Sequence, residues 1–142
     1  MELARPGEGN DAMGNPTSRT QVEREIEEAL GSVPTFVKQM PDAALPGFWS
    51  LMSQFQMAET TIPNKYKELI GVAVAGATRC RYCSLFHTEG ARLQGATDAE
   101  IAEANTLAGL TMFGATFLNG QQTDYEQFTR ETRDIVAYAR AH

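Results

Sequence analysis

No apolar run in this chain approaches the roughly 20 residues that span a bilayer. Nor does its start, Met1-Glu2-Leu3-Ala4-Arg5-Pro6-Gly7-Glu8-Gly9, hold the hydrophobic core of a signal peptide. A soluble, cytoplasmic protein without a membrane partner is expected. Basic side chains are outnumbered, with 12 Lys and Arg against 18 Asp and Glu and a formal net charge of -6. That balance argues against nucleic acid or an acidic membrane surface as partner. Sustained two-residue alternation is missing, so strands are not expected. With no glycine-rich phosphate loop following a strand, no bound organic cofactor is implied. Cysteine is scarce: there are two in 142 residues, and both fall in one C-x-x-C. In a cytoplasmic chain such a lone pair points to redox or metal chemistry more than to a structural staple.

What the chain does contain is a stretch in which those cysteines keep company. It runs from Lys67 and Glu68 through the apolar residues Leu69 to Ala77 to Cys80-Arg81-Tyr82-Cys83, and ends on Phe86-His87. If a helix begins near Cys80, then Cys80 and Cys83 are three apart and Cys83 and His87 four apart. All three then share one face, since such pairs lie about 5–6 Å apart between Cβ atoms. Unpaired backbone N–H groups and the helix dipole stabilise a thiolate at a helix N-terminus. In such motifs a thiol can ionise near pH 7 rather than at about 8.5. Arg79 and Arg81 push the same way. A thiolate there, with His87 to pass protons, is a nucleophile at neutral pH.

The remainder reads as helical scaffold of single-domain length, long enough to bury about two thirds of the unfolded chain's surface. Residues 1–16, rich in Gly, Pro, Asn and acids, are expected to be a disordered lead-in, and residues 17–142 a helical domain. Thr20-x-x-Glu23 has the form of a capping box, followed by Val22, Ile26, Ala29 and Leu30 at helical spacing and a stop at Gly31. A short helix over Val33 to Met40 should close at Pro41, and Asp42 can cap the next. That next helix has a wide apolar set, Leu45, Phe48, Trp49, Leu51, Met52 and Phe55, which predicts a place deep in the core. Pro46-Gly47 can delay its start.

Pro63 suits the first position of a central helix. This helix is apolar nearly all round from Leu69 to Ala77 and so is expected to be buried. Glu68, at its entry to the core, stands out. The motif helix should run from about Arg81 to Gln94 and stop at Gly95. Thr97-x-x-Glu100 repeats the capping-box pattern ahead of a long helix that Asn119-Gly120 ends. Asp124 caps the last, with Tyr125, Phe128, Thr132, Ile135 and Ala139 on one face. The fold class is all-α, with about six to seven helices.

The segment from Tyr66 to Ala104 resembles the core motif of the carboxymuconolactone decarboxylase and alkylhydroperoxidase D superfamily. The likeness lies in Glu68-Leu69-Ile70, Cys80-x-Tyr82-Cys83-x-x-x-His87 and Gly95-Ala96-Thr97-Asp98-Ala99-Glu100-Ile101. The order E-x(11)-C-x-x-C-x-x-x-H is that of the alkylhydroperoxidase D-like branch. The resemblance implies a helical domain assembled into trimers or hexamers, with thiol peroxidase or disulfide reductase activity. It implies that Cys83 is the peroxidatic thiol, that Cys80 is its disulfide partner and the contact for a reductant, and that His87 and Glu68 form a proton relay. The substrate would be a small hydroperoxide and the reductant a dithiol or lipoyl-bearing protein. Tyr82 stands where the best-known member has histidine, and Phe86 where many relatives have a second one.

Plainer readings stand beside this one. Two cysteines can be inert small hydrophobes. Cys80, Cys83, His87 and Glu68 can also supply four ligands to zinc, in a non-enzymatic helical oligomer, although a glutamate is unusual in a cysteine-rich structural site. A lactone decarboxylase on the same scaffold needs no paired thiols, and only Arg79 and Arg81 are near the motif to grip a substrate carboxylate. Glu68 alone can be a solvated first-turn carboxylate. Tyr82 fits packing or, as a substrate contact, the lining of a site mouth. Terminal His142 has no expected role.

Overall fold

The structure is a computed structural model and describes residues 18–142; the lead-in expected over residues 1–16 lies outside them. Among the described residues every regular element is helical, in keeping with the missing alternation. The elements are α1 (Arg19–Leu30), α2 (Thr35–Lys38), α3 (Leu45–Leu51), a π-helical continuation (Met52–Gln56), α4 (Asn64–Thr78), α5 (Arg81–Leu93), α6 (Asp98–Gly120) and α7 (Tyr125–Ala141). The chain divides into two compact units between Thr60 and Thr61.

In the first unit α1 starts two residues earlier than the Thr20 pattern predicts. The Ser18 hydroxyl accepts the Gln21 N–H at 3.3 Å and is the cap, because the hydroxyl that reaches an orphan amide first sets the start. Thr20 and Glu23 lie inside the helix, and Glu23 pairs with Arg19 at 2.7 Å. Gly31 ends α1 as expected, in the left-handed conformation at φ 79°. Asp42 does not cap α3. Its carboxylate pairs with Arg19, and α3 begins at Leu45 with Pro46 in its first turn, where a missing N–H costs nothing.

Val22 and Ile26, one turn apart, form the core of this unit with Val37, Leu45 and Trp49. Each such aliphatic side chain contributes about 1.5–3 kcal/mol by leaving water. The Trp49 Nε1–H donates to Glu25 Oε2 at 3.1 Å, so the indole keeps a polar partner. The wide apolar face of α3 is only half used. Leu45 and Trp49 are buried and Phe48 and Met52 pack partly, while Leu51 and Phe55 remain exposed.

In the second unit Pro63 sits at the cap rather than the first helical position. Helix α4 buries one face through Asn64, Lys67, Glu68, Val72 and Ala75, whereas Ile70 and Val74 point outward. The all-round burial expected of this helix is therefore not realised within one chain. α4 packs against both α5 and α6, and its small residues permit the approach. Val72, Ala91, Ala96 and Ile101 make the core, flanked by Leu69 and Ala104.

Arg79, left-handed at φ 57°, turns the chain from α4 into α5, and Gly95 at φ 83° turns it into α6. The Thr97–Glu100 capping box forms as predicted, with both of its hydrogen bonds present. Lys65 Nζ meets Glu100 Oε1 at 2.7 Å and ties α4 to the start of α6. That ammonium, helped by the Thr97 N–H, holds the Glu100 carboxyl below its ordinary pKa. Asp124 caps α7 by accepting the Gln127 N–H.

Helices α6 and α7 bury little within the chain. α6 covers only Ile101 among its 23 residues, and α7 covers none. Leu107, Leu110, Met112, Phe113 and Phe117 are exposed along α6.

Candidate active site

Cys80 stands just before α5 and caps it. Its Sγ accepts the Cys83 backbone N–H at 3.2 Å, so one orphan amide of the first turn is spent on sulfur. Cys83 lies inside that turn. The Cα atoms of the two cysteines are 5.3 Å apart and their sulfurs are joined in a disulfide. Cys83 is the exposed residue of the pair and Cys80 is half-buried. His87 follows Cys83 by four residues on α5, one turn along the same face.

Glu68 reaches this helix from α4. It is 9% exposed, which removes the reading of a solvated first-turn carboxylate. A buried carboxylate must be paired or hydrogen-bonded to stay charged, and His87 Nδ1 lies 2.8 Å from Glu68 Oε2. An ionised carboxylate only accepts, so with Glu68 charged the hydrogen of this bond sits on Nδ1. The Phe86 ring meets the imidazole edge-on, with centroids 5.3 Å apart.

Tyr82 is 73% exposed and so is not core packing in the single chain. Arg81 lies over its ring, 5.0 Å from the centroid, and donates to the hydroxyl at 3.1 Å. Two glycines that carry no signal in the sequence lie against the dyad: Gly71 against the His87 ring and Gly90 against the Glu68 carboxylate. Among the described residues no three His, Cys, Asp or Glu side chains are grouped to hold a metal ion; the two sulfurs are bonded to each other.

The residues that build this site lie in a region that matches a known sequence pattern. Residues 43–120 fit the Carboxymuconolactone decarboxylase family. The chain belongs to that family. The chain is similar to a Paracoccus denitrificans protein described as "Uncharacterized protein 4 in cox locus". The two are 33% identical over 94 residues, which is 66% of this chain and 80% of that one. The fold resembles the crystal structure of the alkylhydroperoxidase AhpD core from Rhodospirillum rubrum, with a TM-score of 0.67 and 27% identity. That match covers 78% of this chain and 85% of the other. Family membership and the shared fold place the chain among peroxidase-like or decarboxylase-like proteins. The helical order and the C-x-x-C of the alkylhydroperoxidase D-like branch are both present.

Proposed function

We propose that this protein is a thiol-dependent hydroperoxidase and disulfide reductase that cycles the Cys80–Cys83 pair between dithiol and disulfide. The observation that carries this reading is the Glu68–His87 hydrogen bond at 2.8 Å, one helical turn from a cysteine pair close enough to bond. In the reduced protein, Nε2 of His87, with Nδ1 held by Glu68, takes the Cys83 thiol proton directly or through a water. The thiolate attacks the terminal oxygen of a small hydroperoxide. The O–O bond breaks, the departing alkoxide takes a proton, and Cys83 becomes a sulfenic acid. The Cys80 thiol then displaces water from that sulfur and the disulfide forms.

A dithiol or lipoyl-bearing reductant returns the pair to the thiol state by two exchange steps. The net reaction turns one hydroperoxide and one dithiol into alcohol, water and a disulfide. The family resemblance points the reductant to Cys80. Exposure and capping favour Cys83 instead, with Cys80 departing as the thiolate that the Cys83 N–H stabilises. Tyr82, exposed and lying between the two cysteines in the chain, meets substrate at the mouth of the site in this reading.

A thiol count tests the cycle. The reduced protein should present two free thiols per chain, and one equivalent of alkyl hydroperoxide should remove both with loss of two hydrogens in mass. Two thiols surviving that equivalent would sink the reading. The family description favours one alternative, a lactone decarboxylase. Carbon dioxide release from a muconolactone, with thiols unaffected, is its signature.

The exposed apolar face of α6 supports a further part of this reading, that the working form is a homo-oligomer, a trimer or hexamer. Single chains rarely leave such contiguous apolar surface in water, and Phe113 is 66% exposed. Light scattering at micromolar concentration should give a multiple of the chain mass. Leu110→Asp with Phe113→Asp should shift it toward the monomer. A wild-type monomer would refute the assembly.

A further inference from the structure

The two members of the dyad are each followed, three residues later, by a glycine: Glu68-x-x-Gly71 on α4 and His87-x-x-Gly90 on α5. Residues three apart occupy one face of a helix, one turn from each other. Because α4 and α5 pack together, each helix sends one polar side chain across and offers one glycine to receive the other's. A Cβ on Gly71 would stand 2.6 Å from Cε1 of His87 and closer still to its Cγ and Nδ1. A Cβ on Gly90 would stand 2.6 Å from Oε2 of Glu68 and 2.8 Å from its Cδ. The atoms struck include Nδ1 and Oε2, the two ends of the dyad's hydrogen bond. Gly47, Gly109 and Gly114 would meet nothing within 4 Å and Gly76 only Asn105 Oδ1 at 3.0 Å, so among the described glycines the contacts below 3.0 Å belong to these two positions.

We propose that Gly71 and Gly90 are positioning residues: their missing side chains are the seats in which the His87 imidazole and the Glu68 carboxylate are held in register. The proposal rests on the proton-relay reading above. A methyl group at residue 90 displaces the end of a flexible carboxylate, which yields without disturbing the helices, and alanine is the better helix former. The fold therefore survives and the hydrogen bond does not, because a shift of under 1 Å takes a 2.8 Å contact beyond bonding range. A methyl group at residue 71 presses on the ring itself and turns the whole His87 side chain.

The test uses the full chain and the fact that it has only two histidines, so that His142→Gln leaves a single imidazole to observe. Gly90→Ala should keep wild-type circular dichroism and mass. It should move the ¹⁵N signals of the His87 ring, lower the peroxide rate on the order of 10²-fold and change its pH profile. In a Glu68→Ala background, where no carboxylate remains to be displaced and no such hydrogen bond exists, it should cost nothing further. Gly47→Ala, away from any contact, should move none of these. Unmoved ring signals in folded Gly90→Ala, or a full additional loss in the Glu68→Ala background, would overturn the proposal. If Gly71→Ala does not fold, Gly90→Ala decides alone. If the wild type consumes no peroxide, the functional reading falls while the ring signals still judge the seats: moved supports them, unmoved refutes them.

Discussion

Replacing Cys83 by serine abolishes hydroperoxide consumption, a loss of roughly 10³-fold or more, the scale seen when a covalent nucleophile is removed. Replacing Cys80 has a different outcome. The Cys80→Ser protein carries out one attack and stops with a sulfenic acid on Cys83 that a dimedone-type probe captures, because no neighbouring thiol can condense with it. Neither variant is expected to disturb the fold. Serine is a preferred N-cap, so its hydroxyl can take over the Cys83 N–H that the Cys80 sulfur now accepts. Residue 83 itself is exposed. Activity lost in these variants is therefore lost chemistry rather than lost structure. Equal labelling of wild type and Cys80→Ser would remove Cys80 from the resolving role, and peroxide turnover by Cys83→Ser would move the nucleophile elsewhere.

Glu68→Gln should lower the peroxide rate on the order of 10²-fold, the lower end of what positioned acid–base groups contribute, and flatten its dependence on pH. The amide keeps the shape of the carboxylate and can still accept from Nδ1. It lacks the charge that strengthens that hydrogen bond and favours a protonated ring during proton transfer. Stability should change little, because a buried charge that is lost together with its desolvation cost is often nearly neutral. The comparison to make is kcat/KM across the pH range for wild type, Glu68→Gln and His87→Ala, alongside thermal melts. A Glu68→Gln profile that overlays the wild type takes Glu68 out of the relay.

Several features of this fold are legible in local sequence because their physics is local. Gly31, Gly95, the Thr97–Glu100 box and the Asp124 cap each act within four residues, and each stands where its chemistry indicates. The misplacements have equally plain causes. Ser18 outcompetes Thr20 because it reaches the first free amide. Asp42 is drawn from capping by Arg19, a residue 23 positions away. The faces of α3 and α4 that looked buried are partly exposed, since an apolar side chain says that a surface wants cover without naming what covers it. The same limit applies to α6, whose apolar face is exposed.

The amino-acid order alone determined that the chain is helical and that Cys80, Cys83 and His87 share one face of α5, because i, i+3 and i, i+4 neighbours follow from helical pitch. Only the packing of α4 against α5 decided that Glu68 would be buried, that its carboxylate would lie 2.8 Å from Nδ1 of His87, and that Gly71 and Gly90 would lie against the two. Those relations join residues on different helices. Their geometry depends on how closely two backbones approach, a quantity that no local spacing encodes.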